Sequence, residues 1–169
     1  MDMQTIEIRD ARPEERDRAA EIAVAAFARL GALADPEEAA RMADRVRATT
    51  RDPGTGRVIV ALHDGRLVGS VVYNSPGAGQ HPLFPDGWSF IRSVAVEAAN
   101  AGRGIGRRLV EACIARAQHD RARWIGLYAA DSNIVALGLY RDMGFRQTGE
   151  APSYWGLTYH VWGLELSGE

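Results

Sequence analysis

The chain has 169 residues, 46% of them hydrophobic and 25% charged, which suits one globular domain, 1–169, with a substantial core. Its 20 Lys and Arg against 22 Asp and Glu leave a formal charge of −2, which excludes a global field that would draw it onto nucleic acid or a membrane. A single cysteine, Cys113, excludes an intrachain disulfide; the apolar runs are too short to span a bilayer, no signal-peptide pattern opens the chain, and a soluble cytoplasmic protein is expected.

Ile6 and Ile8 alternate with polar residues as in a short strand. Pro13, Glu14 and Glu15 suit a helical first turn, after which Ala19, Ile22, Ala23, Ala26, Phe27 and Leu30 recur at helical spacing up to Gly31. Asp35-Pro36-Glu37-Glu38 reads as the capped start of a second helix, with Ala39, Met42 and Val46 as its apolar stripe. Val58–Leu62 and Leu67–Tyr73 flank an Asp64-Gly65 turn and predict a β-hairpin. Asn74 to Gly87 holds three prolines and three glycines and reads as a loop. Trp88 to Val96 is a strand, a helix follows from about Gly104 to Asp120, and Trp124 to Ala129 is another strand. Ser132 to Asp142 is a short helix; Phe145–Gly149 and Tyr159–Leu166 close the chain as strands. The order β-α-α-β-β-β-α-β-α-β-β has no internal repeat or linker, and predicts one mixed α/β domain.

Between strand and helix lies Asn100-Ala-Gly-Arg-Gly-Ile-Gly-Arg-Arg108, with glycines at 102, 104 and 106. The first amides of a helix have no carbonyl partners and carry partial positive charge. Glycines let a phosphate approach them closely, and Arg103, Arg107 and Arg108 add cationic charge, so the stretch reads as an anion cradle. It is not a P-loop, because no lysine follows. The G-x-G-x-G spacing also departs from the dinucleotide fingerprint, which disfavours a nucleotide-binding oxidoreductase.

The run Val94-Ala-Val-Glu-Ala-Ala-Asn-Ala-Gly-Arg-Gly-Ile-Gly-Arg-Arg-Leu-Val110, with Asn133-Ile-Val-Ala-Leu-Gly-Leu-Tyr-Arg-Asp-Met-Gly-Phe145 one strand later, closely resembles the GCN5-related N-acetyltransferase (GNAT) family over nearly the whole chain. The resemblance implies the GNAT fold, an α/β (α+β) arrangement of six or seven mostly antiparallel strands in a mixed sheet flanked by about four helices. It also implies acetyl-CoA as co-substrate, no metal, and direct attack by a primary amine. The backbone of Val94, Ala95 and Val96 then meets the pantetheine arm, while Gly102, Arg103, Gly104, Ile105, Gly106 and Arg107 hold the diphosphate. The family loop opens with Gln or Arg where this chain has Ala101, so that side chain's contribution is missing. Tyr140 matches the proton-donating tyrosine, and would alternatively pack against Leu137. Asn133 matches the asparagine that contacts the arm, and would alternatively cap its helix, as Ser132 or Asp131 equally could.

Where some members carry a basic glutamate this chain has Phe90. Glu97, Asp131, Asp86 and His81 remain as general-base candidates, with ordered water as the alternative. Cys113 falls on the inner helical stripe and is expected in the core. The Asn74–Gly87 loop is expected to wall the acceptor pocket, with Phe84 and Trp88 lining it and Tyr154 or Trp155 facing them. That composition favours an amine on a hydrophobic body over a polycation. The partners expected are a small-molecule or peptide amine, with a homodimer left open, and neither nucleic acid nor membrane. A competing expectation is a CoA-thioester-binding sensor or interaction domain that has lost catalysis.

Overall fold

The computed structural model describes residues 5–32, 34–77 and 81–166. In chain order it comprises β1 (Ile6–Asp10), α1 (Arg16–Gly31), α2 (Pro36–Arg51), β2 (Arg57–His63), β3 (Arg66–Asn74) and β4 (Trp88–Val96). There follow α3 (Ile105–His119), β5 (Trp124–Ala130), α4 (Ile134–Asp142), β6 (Arg146–Glu150) and β7 (Tyr159–Glu165). The boundaries follow local chemistry. Asp35 caps α2 by accepting the Glu38 N–H at 3.0 Å, with Pro36 in the first turn. The β2–β3 hairpin turns on Asp64 and Gly65, both at positive φ (51° and 83°), as its two-residue loop requires.

The seven strands form one sheet in the order β1-β2-β3-β4-β5-β7-β6. Alternation along β2 sends Ile59 and Ala61 to the face that α3 and α4 cover, and Val58, Val60 and Leu62 to the face under α1 and α2. On the first face Ile105, Leu109, Cys113 and Ala117 of α3 are buried against Tyr73, Ile91 and Ile125. Cys113 is core, and burial pushes its thiol pKa up.

Two features of the sheet shape what lies above it. All described neighbouring pairs are antiparallel except β4 with β5, which is parallel and pairs only at Trp88–Trp124, Ser89–Ile125 and Phe90–Gly126. Beyond these rungs the two strands part. On the β3 side of β4, Ser70 pairs with Ala95 and Val72 with Arg92, so Ser93 and Val94 share the place opposite Val71. Ser93 has φ 56° at this bulge.

The surviving β4–β5 rungs are clamped by aromatic rings lying on glycines. A Cβ on Gly126 would meet Phe84 at 2.7 Å and Trp88 at 2.9 Å, and one on Gly163 would meet Trp88 at 3.0 Å. Trp88 stacks on Trp124 with centroids 5.0 Å apart, and Phe84 on Phe90 at 4.9 Å. Gly126→Ala is therefore expected to destabilise the fold by about 1–3 kcal/mol, the usual cost of overpacking. Adding Phe84→Leu should recover part of that loss, which urea midpoints for the single and double variants would show as non-additivity.

Candidate functional site

After β4 a 3-10 turn (Ala98–Asn100) leads into the glycine loop. Glu97 anchors this junction: its carboxylate accepts from Arg66 at 2.7 Å, Arg18 at 3.4 Å and the Asn100 amide at 3.3 Å. It is thereby committed to holding the loop and is no free base. Gly102 and Gly104 take left-handed conformations (φ 79° and 75°), and a Cβ at either would meet only open space. Gly104 is the N-cap of α3, no side chain caps it, and the Arg108 N–H closes onto the Gly104 carbonyl at 3.1 Å. The amides ahead of Arg108 in that first turn have no intrahelical acceptor. Gly106 differs: it is helical, and its Cβ would sit 3.7 Å from Val96 and Leu139, an ordinary contact away from the open side.

The arginines divide. Arg103 is exposed at the loop tip, and Arg107 lies 3.6 Å from both Glu111 and Asp142. Arg108 turns away to the Ile6 carbonyl on β1.

Where β4 and β5 part there is a narrow slot of about 50 Å³, bordered by Ser93 and Val94 on one strand and by Leu127 and Ala129 on the other. Past Phe90 the β4 backbone has no β5 partner, so the main chain at Val94, Ala95 and Val96 pairs only with β3 or not at all. Tyr140 closes the slot from α4. Its ring packs tilted against Phe145 at 5.7 Å and its hydroxyl has no hydrogen-bond partner among the described residues. Burial, helped slightly by Cys113, raises its pKa above the usual phenol value. Asn133 stands at the N-cap of α4 without using its side chain as a cap, and lines the same slot. Asp131 is taken by His160 Nδ1 at 2.6 Å.

On the α1–α2 face the slot opens into a cavity of about 350 Å³. Phe27, Ile91, Arg92, Ser93, Tyr128 and Tyr159 border both spaces. The remaining wall comes from α2 (Met42, Arg45, Val46, Thr49), from His81, and from Tyr154 and Trp155. The last two sit on a tight turn in which Tyr154 and Leu157 exchange backbone bonds of 3.2 and 2.8 Å. Trp155 there has φ 57°, rare for a bulky side chain. Among the described residues, four non-glycine residues have positive φ, and two of them, Ser93 and Trp155, face this cavity, the sort of place where backbone strain concentrates.

Of the four aromatic residues expected to wall the acceptor pocket, two border this cavity. Tyr154 and Trp155 line the cavity, whereas Phe84 and Trp88 do not. The bare glycines of β5 and β7 offer them a flat seat, and they settle there as a small core cluster with Phe90 and Val161. Residues 78–80 of that loop lie outside the described residues. Its contribution to the cavity wall is His81, whose ring lies 5.0 Å from Phe84 and Phe90 and 5.8 Å from Tyr128. His81 Nδ1 accepts the Leu83 N–H at 3.1 Å, so in the neutral ring the proton sits on Nε2 and the free lone pair of a general base is absent. Asp86 is exposed and lies off the cavity. Arg45, Thr49, Arg92 and Tyr128 went unnoticed as site residues in the sequence. Lying on ordinary helix and strand positions, they carry no local motif. Among the described residues no cluster of three metal-ligating side chains occurs, and no helix is long and apolar enough to cross a membrane.

The sequence matches the family model described as Acetyltransferase (GNAT) family over residues 16–145. No curated protein matches it. Among solved structures, the paia N-acetyltransferase of Thermoplasma acidophilum in complex with coenzyme A has TM-score 0.77 at 13% identity, covering 96% of this chain and 99% of that one. The ribosomal-protein-alanine N-acetyltransferase of Brucella melitensis gives 0.66 at 21%, covering 95% and 99%. A GNAT family acetyltransferase from Brucella melitensis in complex with acetyl-CoA gives 0.65 at 24%, covering 98% and 90%. These likenesses establish the fold.

Burial, and then the Arg92 charge, holds the His81 pKa below the ordinary histidine value. As pH falls, the unfolded chain takes up this proton before the folded one, so the folded state loses stability below about pH 6.5. His81→Leu should flatten that acid limb, as seen in denaturant midpoints between about pH 7.5 and pH 5. Equal slopes for both proteins would show that His81 does not contribute.

Proposed function

We propose that this chain, which belongs to the GNAT family of acetyltransferases, moves an acetyl group from acetyl-CoA to a primary amine carried on a hydrophobic body. The observation that carries this reading is one continuous path. An uncapped, glycine-flanked helix N-terminus lies beside a slot edged by unpaired strand and closed by the Tyr140 hydroxyl, and the slot opens into an aromatic cavity.

The residues present fit the donor. The amides of Ile105, Gly106 and Arg107 suit a diphosphate, with open space at Gly102 and Gly104 for its oxygens and with Arg103 and Arg107 nearby. The free edge of β4 at Val94–Val96 suits an extended amide-bearing arm, which would add to the sheet as a short strand, and Asn133 faces the same slot. The thioester supplies an activated acetyl carbon. The acceptor nitrogen would form its C–N bond there as the C–S bond breaks. Tyr140 would pass its phenolic proton to the departing sulfur, and the surplus amine proton would leave to water. Handing a proton from a phenol to a thiolate is uphill in water, with ordinary pKa values of about 10 and about 8.5. The proton therefore moves only as charge builds on a sulfur shut away from solvent. A phenol held this high stays protonated throughout the neutral range, as a general acid must.

Phe27, Tyr128, Tyr154 and Trp155 offer apolar surface to the acceptor's body. Among the described residues the cavity wall holds no carboxylate, unlike a site built for a polycation.

Gly104→Ala should weaken acetyl-CoA binding tenfold or more, because its left-handed φ and open outer side are both spoiled. Gly106→Ala should change binding by less than about threefold, its Cβ pointing inward. Calorimetry with acetyl-CoA separates the two, and an unaffected Gly104→Ala would sink the cradle.

Tyr140→Phe should lower kcat by roughly 10² with acetyl-CoA affinity nearly intact. An effect confined to KM would make the phenol a binding group instead. The wild-type rate should show no alkaline fall from this residue up to about pH 10. Thiol release with any amine would exclude the catalytically silent, thioester-sensing alternative.

A further inference from the structure

The acceptor cavity has an electrostatic character that its aromatic lining does not explain. Arg45 and Arg92 both border it, and among the described residues no Asp or Glu does, in a chain with 22 acidic residues. Several partly buried or surface arginines close on carboxylates, Arg9 on Glu15 at 2.7 Å, Arg51 on Asp17 at 2.8 Å and Arg116 on Asp10 at 2.6 Å, while others, such as Arg108, do not; what sets Arg92 and Arg45 apart is that they face one cavity together. Arg92 is only partly exposed, yet its one hydrogen bond among the described residues goes to the neutral Tyr128 hydroxyl, at a long 3.4 Å. Arg45 likewise has no ion pair among the described residues. A guanidinium taken partly out of water without a counter-charge is costly, and its planar fork matches a carboxylate.

We infer that the acceptor is a small amino carboxylate with an apolar or aromatic side chain, whose carboxylate is held by Arg92 with Arg45 beside it. The inference rests on the acetyltransferase reading above and narrows its acceptor. Arg92 borders both the cavity and the slot. A carboxylate held there therefore brings a neighbouring amino group to the mouth of the slot. A simple hydrophobic amine would leave the guanidinium unmatched.

Three amines sharing one aromatic body test this: L-phenylalanine, its isosteric amide L-phenylalaninamide, and phenethylamine, which lacks the carboxyl group. Thiol release should give the amino acid a kcat/KM at least tenfold above either partner. Arg92→Gln should erase most of that preference through KM, with little change for phenethylamine. Arg45→Gln, on an exposed helical position, should reduce the preference in the same direction without endangering the fold. A second readout needs no turnover. With CoA present, calorimetry should show N-acetyl-L-phenylalanine binding at least tenfold more tightly than its amide, and Arg92→Gln should level the two. Equal use of phenethylamine, equal binding of acid and amide, or an Arg92→Gln loss shared by all three amines would overturn the inference while leaving acetyl transfer intact. Failure to bind acetyl-CoA at all would instead bring down the reading on which it rests.

Discussion

Everything at this site depends on two parallel strands that hydrogen-bond for three rungs and then stop. Had β4 and β5 stayed paired to their ends, the sheet would be continuous, with no slot and no free strand edge. Several features keep them apart. The Ser93 bulge turns β4 within its own ladder, so its outer half follows β3 rather than β5. On the far side β5 runs with β7 along its whole length, from Trp124–Glu165 to Ala130–Tyr159. Each half of the sheet is thus a well-paired antiparallel unit, and the wedge between them is what their twists leave over. The aromatic rings seated on Gly126 and Gly163 fix the closed end of that wedge.

A second constraint acts at the loop. Two residues at positive φ on either side of an exposed arginine would be a loose excursion without an anchor. Glu97 supplies one by gathering Arg18 from α1, Arg66 from β3 and Asn100 from the loop's own base. The anion cradle is therefore positioned by an ion-pair node outside it. An acidic residue that the sequence offers as a catalytic base turns out to be the peg that steadies the cradle.

Much of the fold was legible because its signals are local. The Asp35 cap, the Asp64-Gly65 turn, the glycine loop and the period of α3 each depend on neighbours in sequence, and each element stands where expected to within a residue or two. Tyr140 and Asn133 were singled out by a family resemblance carried on a local motif, and both border the slot. The remainder depends on contacts between distant segments. Phe84 and Trp88 look like pocket-lining aromatics until Gly126 and Gly163, some 40 and 75 residues on, come to lie beneath them. Arg45 and Arg92 look like solvated charges until α2 and the unpaired half of β4 come to face one cavity. Nothing in the immediate sequence of any of these residues announces the partner.

The slot and the cavity are built from different material. The cradle and slot edge consist largely of main chain: left-handed glycines, helix amides and an unpaired strand. The cavity consists of side chains from two helices, three strands, a loop and the Trp155 turn. A surface made of backbone tolerates most substitutions as long as the chain path is kept. A surface made of side chains changes character with each replacement. Selection can therefore exchange one set of acceptor contacts for another while the donor platform stands still. The two spaces meet along Phe27, Ile91, Arg92, Ser93, Tyr128 and Tyr159, and only at that border does a change for one ligand have to be reconciled with the other.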